Sequence, residues 1–388
     1  MLSMSIILIV FFITLVIAIL SGLVFLIPSV PIKYIKIHLY LIVLPIIVSV
    51  IGLLNVSDRE QIGPFTMDHL AWLMGSFILI LNFIIQKFSV RYLIGDRNYR
   101  KYFPLFTLIT SFASIAWLSG DLRLMVLFWG ATLLSLTLLI RVNRSWKIPY
   151  EAAKVSGKSF ALGWLSLLVA VILLYVATGN WHINVTLAND DVITSGMRFI
   201  IDMLIVLAVV VPAAQFPFQS WLIESVAAPT PVSAIMHAGI VNAGGIILTR
   251  FSPVFNDPLA ITILLIIASI SVLLGSGISL VHVDYKRQLV GSTMSQMGFM
   301  LVQCALGVYS AAIIHLILHG VFKATLFLQS GSVVKRFNIP TPPSAKRSYS
   351  WVVLGRCLAI IIAILFCLGS DRSAYEILSS LIYALSLM

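Results

Sequence analysis

Residues 315–328 read HLILHGVFKATLFL, and this stretch decides how the rest of the chain is understood. It is an apolar run of helical length interrupted by His315, His319 and Lys323. The spacing i, i+4, i+8 keeps the three polar side chains within an arc of about 80° on a 3.6-residue helix, so they share one face. A lysine at the centre of a membrane helix costs roughly 2.5–3.5 kcal/mol on insertion scales. A stripe of three such groups fits a face turned to a paired or hydrated interior through which protons move. A passive alternative is a lysine that pairs structurally between helices, with each histidine in an interhelical hydrogen bond of order 1 kcal/mol.

Composition places that helix in a bilayer. Of 388 residues, 60% are hydrophobic and only 10% charged, and the mean hydropathy is +1.07, which excludes an ordinary water-soluble domain. Apolar runs near the span length recur from end to end. They predict helices near 4–27, 37–54, 69–88, 104–120, 122–140, 159–178, 198–215, 232–249, 258–283, 288–307, 309–334, 351–369 and 374–388. The expected fold class is an all-α polytopic membrane protein of about 13 transmembrane helices. The first run is too long for a signal peptide and lacks a basic start, so it reads as a span.

The net charge of +11 is a topology signal, not the footprint of a nucleic-acid partner. Odd-numbered loops hold 18 of the 25 basic residues, among them Lys33, Lys36, Arg97, Arg100, Lys147, Lys286 and Arg287. Even loops hold five, with acids such as Asp190 and Asp191. By the positive-inside rule the odd loops are cytoplasmic and the N-terminus lies outside an inner (cytoplasmic) membrane. The 335–349 segment, KRFNIPTPPSAKRSY, is expected as a cytoplasmic linker. Cys304, Cys357 and Cys367 lack metal or redox spacing. With no zinc motif, glycine-rich phosphate loop or Ser/His/Asp order, the chain shows no catalytic site and calls for no cofactor of its own.

Two stretches punctuate the hydrophobic pattern. The polar loop 179–197 separates the first six spans from the rest. The segment 212–231, PAAQFPFQSWLIESVAAPTP, carries four prolines between spans seven and eight. Pro212 and Pro217 each remove a backbone donor and break or end a helix, and breaks at membrane depth mark transport sites. Within it FPFQSWLIESV reads as a short amphipathic element, with Phe218 and Trp221 at the interface and Glu224 toward the cytoplasm. His38, His69, His182 and His282 sit at predicted span ends and read as interfacial groups. Asp202 lies near the outer end of its span, as a mouth or an ion-pair partner.

Three motifs carry a family resemblance: PFQSWLIESVAAPTPVSAIMHAGIVNAGGIILTR, DYKRQLVGSTMSQMGFM and HLILHGVFKATLFLQSGSVV. They resemble the antiporter-like subunits of respiratory complex I and of Mrp cation/proton antiporters. Within that superfamily, HAGIVNAGG and the QMGFMLVQCALG…HGVFKATLFLQSGS pair look most like the DabB membrane subunits of inorganic-carbon uptake complexes. The resemblance implies inverted five-helix repeats with broken helices, here 104–249 and 258–388 after N-terminal helices 1–103, the second incomplete at its C-terminus. It implies a proton or ion relay of Lys323, His319, His315, His237 and Lys286, with Asp202 and Glu224 as further candidates. The implied partner is a DabA-like, zinc-binding, carbonic-anhydrase-related subunit on the cytoplasmic face, docked near Glu224. Two positions depart from the complex I pattern: its fifth-span glutamate and seventh-span lysine fall on Gly130 and Pro212. The expected function is proton or sodium conduction that energises bicarbonate uptake by that partner. The alternatives are a cation/proton antiporter or quinone-oxidoreductase subunit, and a passive membrane anchor for a soluble enzyme.

Overall fold

The computed structural model describes residues 3–56, 59–143, 147–188 and 192–332. The predicted spans 351–369 and 374–388, the 335–349 linker, Cys357 and Cys367 lie outside the described residues. The helices are α1 Met4–Val24, α2 Ile35–Asn55, α3 His69–Tyr92, α4 Tyr99–Leu118, α5 Leu122–Ile140, α6 Lys147–Thr178 and α7 Ile183–Ala188. They continue with α8 Ser195–Val210, α9 Ser220–Glu224, α10 Thr230–Ile235, α11 Ala243–Phe251, α12 Pro258–Val281, α13 Tyr285–Ala305 and α14 Tyr309–Ser332. Every expected span within the described residues falls on a helix. Among the described residues, nine stretches are long and apolar enough to cross a membrane. α8 is not among them at 16 residues, nor is α13, whose polar side chains include Ser292, Thr293, Ser295 and Gln303.

The scarce acids explain where several helices start. Asp68 accepts from the Ala71 amide at 2.8 Å, and Asp121 from the Arg123 amide at 2.8 Å. Asp257 accepts from Leu259 and Ala260, both at 3.0 Å, and Asp284 from Arg287 at 2.9 Å. Each carboxylate satisfies amides that the first helical turn leaves free, a contribution of typically about 1 kcal/mol. Asp284 is therefore a cap for α13.

Three features differ from expectation. An antiparallel hairpin, β1 Glu60–Ile62 with β2 Phe65–Met67, covers the second loop, so the chain is not wholly helical. α6 has 32 residues, about 48 Å at 1.5 Å per residue against a hydrocarbon core of about 30 Å. Lys147, Lys154 and Lys158 therefore ride on a helical extension and not in a loop. Trp221 is fully buried, its indole donating to the Val211 carbonyl at 2.9 Å, so it is not an interfacial anchor.

That Trp221 contact is part of how the proline break is tolerated. After α8 the chain turns at 211–214, with Ala214 in the left-handed region at φ 53° and a cis peptide at Phe216–Pro217. Gln215 donates to Ala213 O at 2.7 Å, so Trp221 and Gln215 serve carbonyls that a continuous helix would have bonded internally. The next predicted span is also broken: α10 passes through a π-turn at Met236–Ile240 before α11. Asn242 steadies it by donating to Ala238 O at 2.8 Å. Such π-turns are rare and concentrate at functional positions.

Helices α1–α4 form an N-terminal layer, and α3 also packs on α10 and α14, making it the wall between that layer and the broken-helix core. α12 and α13 approach at backbone contact. A Cβ on Gly275 would lie 2.5 Å from Ser295 N, and one on Gly291 would lie 2.7 Å from Ser279 N. This close approach fixes the polar face of α13 opposite α14.

Candidate functional site

The stripe on α14 is buried. Lys323 is 1% exposed; its ammonium donates to Leu289 O at 3.1 Å and in a short contact to Ser292 Oγ. Ser292 Oγ itself lies 3.0 Å from Leu289 O. The lysine thus ends in a small polar socket on α13, with no carboxylate bonded to it among the described residues.

One turn along α14, His319 is buried, and its Nε2 has no hydrogen-bond partner among the described residues. Its ring centroid is 6.0 Å from that of His315. His315 Nδ1 lies 3.1 Å from Gln303 Oε1, so the ring nitrogen carries the proton in that contact. His237, on the π-turn, stacks on Phe327 of α14 with centroids 4.4 Å apart and planes at 16°. Both of its nitrogens are buried without a partner among the described residues. Gly320 makes this meeting possible: a Cβ there would sit 2.7 Å from Ala238 O and 2.5 Å from Phe77. The fold thereby gathers Lys323, His319, His315 and His237 along one seam between α13, α14 and the π-turn. Unpaired buried nitrogens of this kind suit bridging by water.

Of the other three candidates, Lys286 sits one turn before Leu289 on α13, beside the seam, and Asp202 and Glu224 lie elsewhere. Lys286 donates to Ala228 O at 3.1 Å, tying the start of α13 to the segment after α9. Asp202 is buried and accepts from the Asn256 and Asp257 amides at 3.2 and 2.9 Å, which anchors the loop before α12. Glu224 is exposed on a surface cavity of about 740 Å³ with Lys147, Glu151, Asp284 and Arg287. His38 reverses its sequence reading: it is fully buried within the α1–α4 layer.

The departures at Gly130 and Pro212 have a structural counterpart. A Cβ at Gly130 would lie 2.4 Å from the indole nitrogen of Trp164, which donates to Val126 O at 2.9 Å. The Pro212 ring packs on Gly163, whose added Cβ would lie 3.0 Å away. The space around Gly130 and Gly163 is thus filled by the Trp164 indole and the Pro212 ring.

Sequence reading missed Ser292, Gln303 and Phe327 as site residues. The hydroxyls and amides in STMSQMGFMLVQ were a signal, since polar groups within a span face protein or water. The Leu289 carbonyl left no such signal.

Comparison with known proteins agrees with this architecture. The family described as NADH:quinone oxidoreductase/Mrp antiporter, TM, matches residues 119–368. A probable inorganic carbon transporter subunit DabB of Bacillus subtilis (strain 168) is 58% identical over 388 residues, covering 100% of this chain and 77% of that protein. Its counterpart in Bacillus anthracis is 55% identical, covering 100% and 76%. The chain thus spans about three quarters of the length of these relatives. Among solved structures, the Mrp complex from Dietzia sp. DQ12-45-1b matches with TM-score 0.76 at 23% identity, covering 100% of this chain and 46% of that one. The membrane-bound sulfane sulfur reductase, an archaeal respiratory membrane complex, matches with TM-score 0.75 at 18% identity, covering 99% and 85%. A multi-pass helical protein with this fold and this identity to its relatives belongs to the NADH:quinone oxidoreductase/Mrp antiporter transmembrane family and, within it, to the DabB inorganic carbon transporter subunits.

Proposed function

We propose that this chain is the ion-conducting subunit of an inorganic-carbon uptake complex, in which proton passage along the α14 seam energises a zinc-dependent, carbonic-anhydrase-like partner on the cytoplasmic face. The observation that carries the reading is Lys323, 1% exposed and bonded, among the described residues, only to neutral oxygens on α13. Ser292 accommodates both protonation states of the amine. With an ammonium, the hydroxyl accepts from Nζ and turns its hydrogen to Leu289 O; with a neutral amine, the same hydrogen turns to the nitrogen lone pair. A proton released from Lys323 passes to His319 and His315 through water at their facing nitrogens, since neutral imidazole both donates and accepts. His237 borders the same seam. Lys286 and Asp202 hold structure around it.

Proton flow would bias the partner so that hydration of carbon dioxide runs only toward bicarbonate, with the zinc chemistry wholly on that partner. The exposed Glu224 cavity and the α6 extension form the docking surface. A second reading, a cation/proton antiporter or quinone-oxidoreductase subunit, draws on the likeness to the Mrp complex. It also draws on the 31% identity to an NAD(P)H-quinone oxidoreductase subunit 5 of Nymphaea alba. The higher identity to the inorganic-carbon relatives and the filled Gly130–Pro212 position favour the first.

The test is growth of a carbonic-anhydrase-deficient host in ambient air, with the partner co-expressed and protein levels followed by blot. Lys323→Ala is expected to leave insertion intact, since it removes a charge from a span, and to abolish growth. Lys323→Arg is expected to fail as well, because guanidinium does not release its proton. Wild-type growth of Lys323→Arg overturns proton cycling at this position.

A further inference from the structure

The N-terminal layer holds a further buried imidazole, remote in sequence from the α14 seam and bonded on both nitrogens. His38 is fully buried on α2, with Nδ1 2.7 Å from Ser21 Oγ of α1. Its Nε2 lies 3.2 Å from Gln86 Oε1 of α3 and 3.3 Å from Thr107 Oγ1 of α4. Gly22 leaves room for the ring: a Cβ there would meet His38 Cε1 at 3.2 Å. Gln86 is held by donating to Asn82 Oδ1 at 3.2 Å and Thr107 Oγ1 at 3.0 Å, while Thr107 donates to Phe103 O at 3.0 Å. With its amide hydrogens so occupied, Gln86 presents an oxygen that requires a hydrogen on His38 Nε2.

Counting hydrogens exposes a switch at the other nitrogen. Ser21 Oγ has one hydrogen and two acceptors in reach, Ala18 O at 2.8 Å and His38 Nδ1 at 2.7 Å. In the neutral ring, the hydroxyl donates to Nδ1. When a proton arrives on Nδ1, that N–H donates to Ser21 Oγ, and the hydroxyl hydrogen turns to Ala18 O. Every N–H of the ring is bonded in both states, so neither state strands a buried donor.

Further polar side chains lie along α3 and α4 beside the site. Asn82 lies one turn from Gln86, and Ser111 one turn from Thr107. Asn82 Nδ2 and Ser111 Oγ are buried without a hydrogen-bond partner among the described residues. They give water a place to reach the ring along the α3–α4 interface. No charged side chain is bonded to the imidazole among the described residues. On the four packed helices, α1 has no charged residue, while Lys36, Lys87, Arg91 and Lys101 are exposed. Arg100 reaches carbonyls of Phe25, Ile27 and Val30; the Tyr99 and Tyr102 hydroxyls donate to Val90 O and Asp96.

We propose that His38 is a second proton-binding site, in which the Ser21 hydroxyl reorients to hold the ring either neutral or doubly protonated, independently of Lys323. The test is solid-state NMR of ¹⁵N-histidine-labelled full chain in lipid bilayers, with the His38 signals identified by their loss in His38→Asn. Between about pH 3 and pH 9 the wild-type ring is expected to pass from doubly protonated to the Nε2–H form. In Ser21→Ala the doubly protonated population at the acid end is expected to fall by about tenfold or more, since the cation loses the acceptor for one N–H. Gln86→Glu keeps the side-chain shape and supplies an anionic acceptor; it is expected to hold the ring doubly protonated across the range. Lys323→Ala should leave the His38 titration unchanged. A wild-type ring that keeps one form at every pH overturns the proposal, as does a Ser21→Ala ring that titrates as the wild type does.

Discussion

Lys323 and Ser292 set the chemistry at the scale of single residues. An ammonium in a socket of two neutral oxygens has fewer acceptors than hydrogens, and a hydroxyl that can donate to the neutral amine makes both states tenable. Ser292→Ala removes that hydroxyl and leaves Leu289 O as the bonded acceptor. It is expected to lower inorganic-carbon uptake about tenfold while Lys323→Ala lowers it on the order of a hundredfold, the lower range for losing a positioned proton-transfer group. Accumulation of labelled inorganic carbon by cells at equal protein level measures both. If Ser292→Ala behaves as the wild type, the socket does not serve the lysine. His319→Ala is expected to fall between them, because water bridges a lost imidazole better than a lost amine.

At the scale of elements, two devices hold the seam in place. The first is the backbone contact of α12 with α13, which allows no side chain at Gly275 or Gly291. Gly275→Ala places a methyl against Ser295 and Gly291 backbone, and overpacking of this kind typically costs about 1–3 kcal/mol. The second is an ion pair between α3 and α11. Arg250 of α11, 7% exposed, contacts both oxygens of Asp68, the α3 cap, and donates to Trp117 O at 3.0 Å. Asp68→Asn leaves Arg250 buried without its counter-charge, a loss of roughly 3–5 kcal/mol where one partner of a buried pair is removed. Thermal unfolding of purified protein in detergent is expected to place both variants below the wild type, Asp68→Asn lower. An unchanged Asp68→Asn midpoint would show that water already screens the pair.

On the scale of the whole molecule, the charge asymmetry predicts which loops face the cytoplasm. In a background with Cys304, Cys357 and Cys367 changed to Ser, a membrane-impermeant thiol reagent should label Arg97→Cys only in inverted vesicles and Glu60→Cys only in intact cells. The reverse pattern overturns the orientation. Docking of a partner follows from the same frame. A photocrosslinker at Glu224 is expected to capture the cytoplasmic subunit, and one at Glu60 is expected to capture none of it. Crosslinks confined to the Glu60 hairpin would place the partner on the opposite face.

Hydropathy and spacing determined the spans by themselves, because removing a run of apolar residues from water depends on composition and length alone. They also determined the α14 stripe, since three polar groups at helical spacing must share a face wherever the helix packs. The proline break after α8 was legible for a similar reason, a proline's missing donor being a local fact. What each polar group meets was decided only by tertiary structure. Lys286 and Lys323 are both lysines near the ends of polar motifs, yet one ties a loop and the other ends in a buried socket. His38 looked like a span-end residue until α1, α3 and α4 closed around it, and Trp221 looked interfacial until the break in α8 needed its indole. Burial and hydrogen-bond partners are properties of neighbours brought from distant parts of the chain, and no local pattern encodes which neighbours those are.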